Sequence, residues 1–145
     1  TKKEEVGILK MNIDLKEFVD FKLRPVISST EIIHLQESVQ KVYLAEEIEN
    51  YIIELVNATR KPLDYKIRLG KYIKYGSSPR ASIGLYVASK ANALMKGKTF
   101  VTPQDIKDVA YDIFRHRLIL NYEGQAEGIK PEDFITELLL KVPVP

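Results

Sequence analysis

The sequence predicts an all-α fold, a small bundle of about five helices. Helix-start signals recur along the chain, the apolar residues between them repeat at helical spacing, and 45% of the 145 residues are hydrophobic. A chain of this length and composition can bury one compact core. We find no internal repeat, and the pattern predicts a helical domain over residues 28–145.

Residues 1–27 mix charged and apolar residues at short, irregular spacing. This spacing is typical of a short helix followed by an extended connector. The chain also starts without methionine, in the charged stretch Thr1–Glu5. We therefore expect it to be a piece of a longer polypeptide.

Two helices are predicted in residues 28–60. Ser28 and Glu31 match a capping box, in which each side chain accepts a hydrogen bond from the other residue's backbone N–H. Apolar residues follow at helical spacing, and they form a clearer stripe in the second helix, from Glu46 to Arg60, which must pack in a core. The spaced residues are Ile32, Leu35, Val39 and Val42 in the first helix and Ile48, Tyr51, Ile52, Leu55, Val56 and Thr59 in the second.

Residues 61–76 show no sustained period and contain Pro62, Gly70 and Gly76. This composition predicts a loop with at most one irregular turn. Tyrosines lie among the lysines of the loop and could stack on nucleic-acid bases, but packing against a neighbouring helix is the role we favour. They are Tyr65, Tyr72 and Tyr75.

The remaining helices begin with proline. The third runs from Pro79 to Lys96 and closes at Gly97 as a left-handed C-cap, and its small residues leave room for another helix. The fourth has Thr102 as its cap, and a fifth starts at Pro131. The fourth ends in three basic residues that complement the negative end of the helix dipole. The alternative is that they form an interface with a partner. These are Arg115, His116 and Arg117.

The start of the third helix is a candidate anion site. Arg80 falls in its first turn, where a cation opposes the helix dipole by roughly 0.3–1 kcal/mol. A nearby phosphate would reverse the sign, because a charge pair at ~4 Å is worth about 4 kcal/mol at an effective dielectric near 20. Ser78, Pro79 and Arg80 are therefore the candidate binding residues. The alternative is a solvated arginine on an ordinary capped helix.

The charge pattern agrees with a local anion site. The net charge of +2 gives no global reason to expect nucleic acid or an anionic membrane as partner. Residues 61–100, however, contain nine lysines and arginines against the single acid Asp64. No apolar run approaches the roughly 18 residues that span a bilayer. The absence of cysteine excludes disulfides and favours a cytoplasmic protein.

Other chemistries are excluded. The run from Gly97 to Thr99 resembles the end of a phosphate-binding loop, but Asn92 stands where that loop requires a glycine. His34 and His116 lie far apart and lack metal-ligand spacing, so we predict no metal site. No apolar strand ends in the paired acids that hold magnesium, and no serine has a nucleophile elbow around it. The chain cannot assemble a hydrolytic site by itself.

Several segments together resemble the C-terminal part of MoxR-type AAA+ ATPases over about residues 26–145. The most specific are Gly-Ser-Ser-Pro-Arg-Ala at residues 76–81 and Arg-His-Arg-Leu at residues 115–118. Residues 55–60, 101–105 and 142–145 also match, in the same order and at similar spacing.

The resemblance implies a lid, the helical domain that closes over ATP bound to a preceding α/β core. Arg80 matches the family's second-sensor arginine, which reaches the γ-phosphate. Residues 1–27 would be the edge of the core and the linker, and the phosphate loop and the acids that hold magnesium would lie in the core, so the fragment alone should be inactive. The resemblance also implies a ring, commonly hexameric, that remodels a client protein in a chaperone-like way, often beside a von Willebrand factor A domain protein.

Three alternatives stay open at this point. The lid of the magnesium-chelatase ATPase subunit has a similar Ser-Pro-Arg start. A nucleic-acid-binding helical domain would use the basic segment and its tyrosines, but the rest of the chain is acidic and no helix displays outward base-reading residues. Nucleic acid is therefore the weaker candidate. An adaptor bundle without any nucleotide would leave Arg80 as a surface residue.

Overall fold

A computed structural model of the chain describes residues 1–13 and 24–145. They form two compact units, Thr1–His34 and Leu35–Pro145. The first unit contains α1 (Lys2–Ile13) and the first turns of α2 (Ser29–Lys41). The predicted short helix is thus present, whereas the predicted connector falls largely on residues 14–23, which lie outside the described residues. The assignment of residues 1–27 to a core edge and linker stays a prediction.

The second unit is helical, as predicted, with two small additions. The elements that follow α2 are α3 (Glu46–Arg60), a 3₁₀ helix (Arg68–Tyr72), β1 (Ile73–Tyr75), α4 (Pro79–Met95), α5 (Pro103–Phe114), β2 (Ile119–Leu120), α6 (Tyr122–Ala126) and α7 (Pro131–Lys141). The two strands pair antiparallel, with Ile73 opposite Leu120. The sheet and α6 were not expected, because elements of two to five residues are too short to show a periodic pattern.

The predicted helix ends are confirmed by their hydrogen bonds. Ser28 N donates to Glu31 Oε2 (2.7 Å) and Glu31 N donates to Ser28 Oγ (3.2 Å), which completes the first capping box. Thr102 and Asp105 form a second capping box at the start of α5. Gly97 ends α4 with φ +71°, the left-handed conformation that favours glycine.

The core lies between α3, α4, α5 and α7. The stripe predicted for α3 is buried as expected, with Leu55 and Thr59 fully enclosed. In α4 the small residues face the core: a Cβ at Gly84 would lie 3.2 Å from Ile113 of α5, so the two helices pack closely. The largest fully buried side chains of the core include Leu55, Ile67, Leu85, Ile106, Phe114, Phe134, Ile135 and Leu138. Among the described residues, no helix has the length and apolar content needed to cross a membrane.

Candidate functional site

The start of α4 has the predicted residues in the predicted positions. Ser78 is the N-cap, with an extended backbone (φ −79°, ψ 169°), and Pro79 is the first helical residue. The side chain of Ser78 makes no capping hydrogen bond, and the first turn carries no acidic residue. The N–H groups of this turn therefore have no acceptor from a capping side chain, and the positive end of the helix dipole is not compensated there.

Arg80 projects from this first turn and is exposed. Within residues 1–13 and 24–145, its side chain makes no hydrogen bond and no ion pair. An arginine at the positive end of a helix is electrostatically unfavourable by itself. Its guanidinium can donate two parallel hydrogen bonds to a carboxylate or a phosphate, so an anion at this position would satisfy both the side chain and the helix end.

Two hydrogen bonds fix the loop before α4 to the end of α3, and a third holds the Thr59 hydroxyl within α3. The Thr59 hydroxyl donates to Val56 O (2.7 Å) and accepts from Ser77 N (2.9 Å). Arg60 Nε donates to Ser77 O (2.7 Å). Thr59 and Ser77 are both buried. The backbone immediately before Ser78 is therefore held on both its N–H and its C=O side.

Gly76 makes this attachment possible. A Cβ at residue 76 would lie 2.3 Å from Thr59 O and 2.9 Å from Arg60 N, so no larger residue fits without moving the backbone. Two of the segments that carry the sequence resemblance, residues 55–60 and 76–81, thus meet in space. Sequence reasoning identified both segments but missed Thr59, Arg60 and Gly76 as the residues that position Arg80. The only available signal was that both segments contribute to the same resemblance.

The other predicted site residues lie at the end of α5. Arg117 Nη1 donates to Ile113 O (2.6 Å) and contacts His116, and Arg115 pairs with Glu132 of α7. Arg117 thus bonds a carbonyl of the last turn of α5, whereas Arg115 joins α5 to α7. Within the described part of the chain, these contacts do not join the basic triplet to Ser78, Pro79 or Arg80. The interface role of Arg115, His116 and Arg117 stays a prediction.

The apparent phosphate-loop fragment at residues 97–99 forms part of a charge cluster around one buried carboxylate, that of Asp105. Lys98 Nζ lies 3.0 Å from both carboxylate oxygens of Asp105, and Lys96 Nζ lies 3.1 Å from Oδ1. Asp105 is fully buried. Burial raises the pKa of the Asp105 carboxyl, but hydrogen bonds from Thr102, Lys98 and Lys96 outweigh it and hold the pKa below its ordinary value. Lys98 therefore neutralises an internal carboxylate, in agreement with the rejection of this motif.

Residues 1–13 and 24–145 contain no group of three or more histidine, cysteine or acidic side chains that could hold a metal ion. The contacts described above make the N-terminus of α4 the candidate site, where the loop fixed by Thr59 presents one arginine.

Comparison with known proteins identifies this architecture. The family model of the AAA lid domain matches residues 66–138, half of the chain, and includes all of the 3₁₀ helix, α4 and α5. The chain belongs to the AAA lid domain family.

The lid is of the MoxR type. The chain is 34% identical over 123 residues to Chaperone MoxR1 of Mycobacterium tuberculosis. The aligned region covers 84% of this chain and 33% of that protein. The chain is 37% identical to the Bacillus subtilis protein YeaC, over 85% of this chain and 36% of YeaC. A crystal structure of a proposed ATPase from Cytophaga hutchinsonii superposes with a TM-score of 0.83 at 38% identity, over all of this chain and 44% of that one. The chain thus spans about a third of the length of the curated relatives it matches.

Proposed function

We propose that this chain is the C-terminal lid and nucleotide-sensing part of a MoxR-family AAA+ ATPase. The parent would couple ATP binding and hydrolysis to chaperone-like remodelling of a client protein. The observation that carries the proposal is Arg80, an exposed arginine without a described partner at the start of α4. The name of the relative Chaperone MoxR1 supports the kind of activity.

Arg80 would act on the terminal phosphate of ATP. The planar guanidinium donates in a fork that matches phosphate oxygens, and the N-terminus of α4 adds positive potential at the same place. Donors that are already in position stabilise the charge that develops in a transition state without further reorganisation. The hydrogen bonds of Thr59 and Arg60 to Ser77 supply that rigidity, because they fix the backbone three residues before Arg80.

The rest of the catalytic apparatus would lie in the ATPase core. The core would supply the phosphate loop and the acids that hold magnesium, and magnesium would neutralise part of the phosphate charge. This division explains why the chain alone should not hydrolyse ATP. The same family argument supports a cytoplasmic ring, commonly hexameric, with a client protein and a von Willebrand factor A domain protein as partners. Arg115, His116 and Arg117 are the candidates for contacts between its subunits.

Substitution of Arg80 in the full-length ATPase tests the proposal. We expect Arg80→Gln to lower ATP turnover about 10²- to 10³-fold, the usual loss when one preorganised donor is removed. Arg80→Lys keeps the charge but loses the fork and should fall in between. The measurement is steady-state ATP hydrolysis, with nucleotide affinity measured separately.

Lys74→Gln is the matched control. Lys74 is also exposed, lies in the same basic segment and loses the same charge, so its variant should keep turnover within about twofold. Unchanged turnover and nucleotide affinity in Arg80→Gln, or equal losses in the two variants, would show that Arg80 has no specific role.

A further inference from the structure

The second unit has a groove between the 3₁₀ helix and α7, with a volume of about 480 Å³. Its apolar lining includes Leu69 and Tyr72 of the 3₁₀ helix and Leu140 of α7. The Leu140 side chain is 78% exposed, so the core of the domain does not use it. Exposed aliphatic surface gains free energy when a partner removes it from water, and Leu140 is therefore an anchor point for an apolar group.

The two acidic residues of the groove already have partners. The Glu137 carboxylate accepts hydrogen bonds from the backbone N–H groups of Arg68 and Leu69, at 2.9 Å each, and so caps the start of the 3₁₀ helix. The Asp133 carboxylate accepts from Lys130 N (2.9 Å) at the start of α7. Both carboxylates thus lie at helix N-termini, where their negative charge is partly compensated by unpaired N–H groups and the positive end of the helix dipole.

The two basic residues of the groove are not compensated in this way. Arg68 Nε lies 3.6 Å from Glu137 Oε1, but the Arg68 side chain is 92% exposed. Within residues 1–13 and 24–145, its guanidinium makes no hydrogen bond. The ammonium of Lys71 lies 4.5 Å from the centre of the Tyr72 ring and forms no ion pair with any described residue. The groove therefore presents two positive charges that an anion from outside can reach.

The spacing of these two charges indicates what the groove can hold. Residues three apart in a 3₁₀ helix lie on the same side of it, so the backbone positions of Arg68 and Lys71 are about 6 Å apart along the axis. Acidic residues one turn apart on an α-helix are separated by a similar distance, about 5–6 Å between their Cβ atoms. A helix with two such acids, and an apolar residue beside them for Leu140, matches the groove in charge and in spacing.

We propose that this groove binds an acidic amphipathic helix of a partner protein, with two carboxylates on Arg68 and Lys71 and an apolar side chain against Leu140. A nucleic acid fits less well, because its phosphates would approach the carboxylates of the groove and would leave Leu140 without an apolar contact. The groove shares no residue with the start of α4. The inference is therefore independent of the function proposed above.

Peptide binding to the full-length ATPase tests the inference. The probe is a fluorescein-labelled, stapled helical peptide of about 15 residues. It has two glutamates one turn apart and leucines on the adjoining face, and its binding is measured by fluorescence anisotropy. A second peptide has glutamine in place of both glutamates. We expect the acidic peptide to bind about tenfold more tightly, because each exposed charge pair contributes up to about fivefold.

Variants of the groove supply the matched comparison. Combining Arg68→Gln with Lys71→Gln should weaken binding of the acidic peptide about tenfold. The backbone N–H groups that Glu137 accepts from stay in place, so this double variant keeps the cap of the 3₁₀ helix. Leu140→Ser should weaken binding about fivefold, because an apolar contact is lost. Lys141→Gln is the control: Lys141 is exposed at the end of α7 but does not line the groove, so binding should change by less than about twofold.

Four outcomes would overturn the inference. The first two are no binding of the acidic peptide and equal binding of the glutamine peptide. Binding that appears only when the subunits are diluted apart would show that a neighbouring copy covers the groove. An oligothymidylate that displaces the peptide and binds more tightly, with the same dependence on Arg68 and Lys71, would assign the groove to nucleic acid.

Discussion

The N-termini of α4 and α5 share a sequence pattern but differ in their hydrogen bonds and charge. Each helix starts with a hydroxyl residue followed by proline, at Ser78 and at Thr102. At the start of α5, the carboxylate of Asp105 accepts hydrogen bonds from Thr102 N (2.9 Å) and Thr102 Oγ1 (2.7 Å). At the start of α4, the cap hydroxyl makes no such bond and the charged side chain is Arg80.

The difference separates a helix end built for stability from one suited to a ligand. An acid in the first turn compensates the helix dipole, and in α5 that acid is buried and further neutralised by Lys96 and Lys98. A cation in the first turn adds to the positive potential instead. The loop before α4 is itself hydrogen-bonded to Thr59 and Arg60, so the unpaired charge of Arg80 stands on an ordered backbone.

The largest effect is expected at the α5 end. Asp105→Ala leaves Lys96 and Lys98 without their shared buried carboxylate and removes the acceptor of the capping box. Lys96 and Lys98 are 39% and 34% exposed, so water can solvate them once the carboxylate is gone. Loss of a helix cap costs about 0.5–2 kcal/mol, and loss of a hydrogen bond to a charged group costs about 1.5–3 kcal/mol. We expect a loss of this size in the free energy of unfolding of the isolated lid, measured by urea denaturation.

Asp108→Ala is the control for this substitution. Asp108 also pairs with Lys96 but is partly exposed, so its loss should cost less than about 1 kcal/mol. Acidification supplies a second check. Folding lowers the pKa of Asp105. The ionised carboxylate therefore adds to the free energy of unfolding above the ordinary carboxyl pKa range, and this contribution is lost as the pH falls below about 4. The stability gap between the parent and Asp105→Ala should therefore narrow in acid, and a gap that is small at neutral pH would contradict the assignment.

A smaller effect is expected from Thr59→Val, which acts on the α4 end. The substitution keeps the size of the side chain but leaves the buried Ser77 N–H without its acceptor, at a cost of about 1–3 kcal/mol. Because Ser77 precedes the cap of α4, ATP turnover of the full-length protein should fall as well. Urea denaturation and steady-state hydrolysis measure the two effects.

Thr136→Val serves as the comparison for that substitution. The Thr136 hydroxyl donates to Glu132 O (2.8 Å) within α7 and lies 3.0 Å from the Tyr111 hydroxyl, and the residue is exposed. Water can replace both hydrogen bonds, so stability should change by less than about 1 kcal/mol. Similar losses in the two variants would mean that the Thr59–Ser77 bond has no special role in fixing the loop.

The sequence predicted those features of the fold that depend on residues close together in the sequence. The caps at Ser28, Ser78 and Thr102 follow from local chemistry, and the apolar period of α3 is set by the helix itself. The two strands could not be predicted in this way, because they pair only through contacts about 45 residues apart in sequence.

The candidate site was predicted only in part, for a related reason. Arg80 was identifiable because a cation in a first helical turn breaks a local rule. The attachment of Ser77 to Thr59 joins residues 18 apart and depends on tertiary packing. The exposed face of α4 was also not predictable, because Ile83 and Val87 have the spacing of core residues, and only the positions of the neighbouring helices show that the core lies on the other side.

The smallest expected change in the free energy of unfolding is a gain rather than a loss, and it concerns Arg80 itself. Arg80→Gln should stabilise the isolated lid by about 0.3–1 kcal/mol, because it removes a cation from the positive end of α4. Glutamine and arginine have similar helix propensities, so the gain reports the charge rather than the backbone. The stabilisation should disappear in about 1 M salt, where the screening length falls to ~3 Å. If urea denaturation instead shows that Arg80→Gln destabilises the lid at low salt, then the arginine has a structural role within the bundle, and its unpaired charge is not reserved for a ligand.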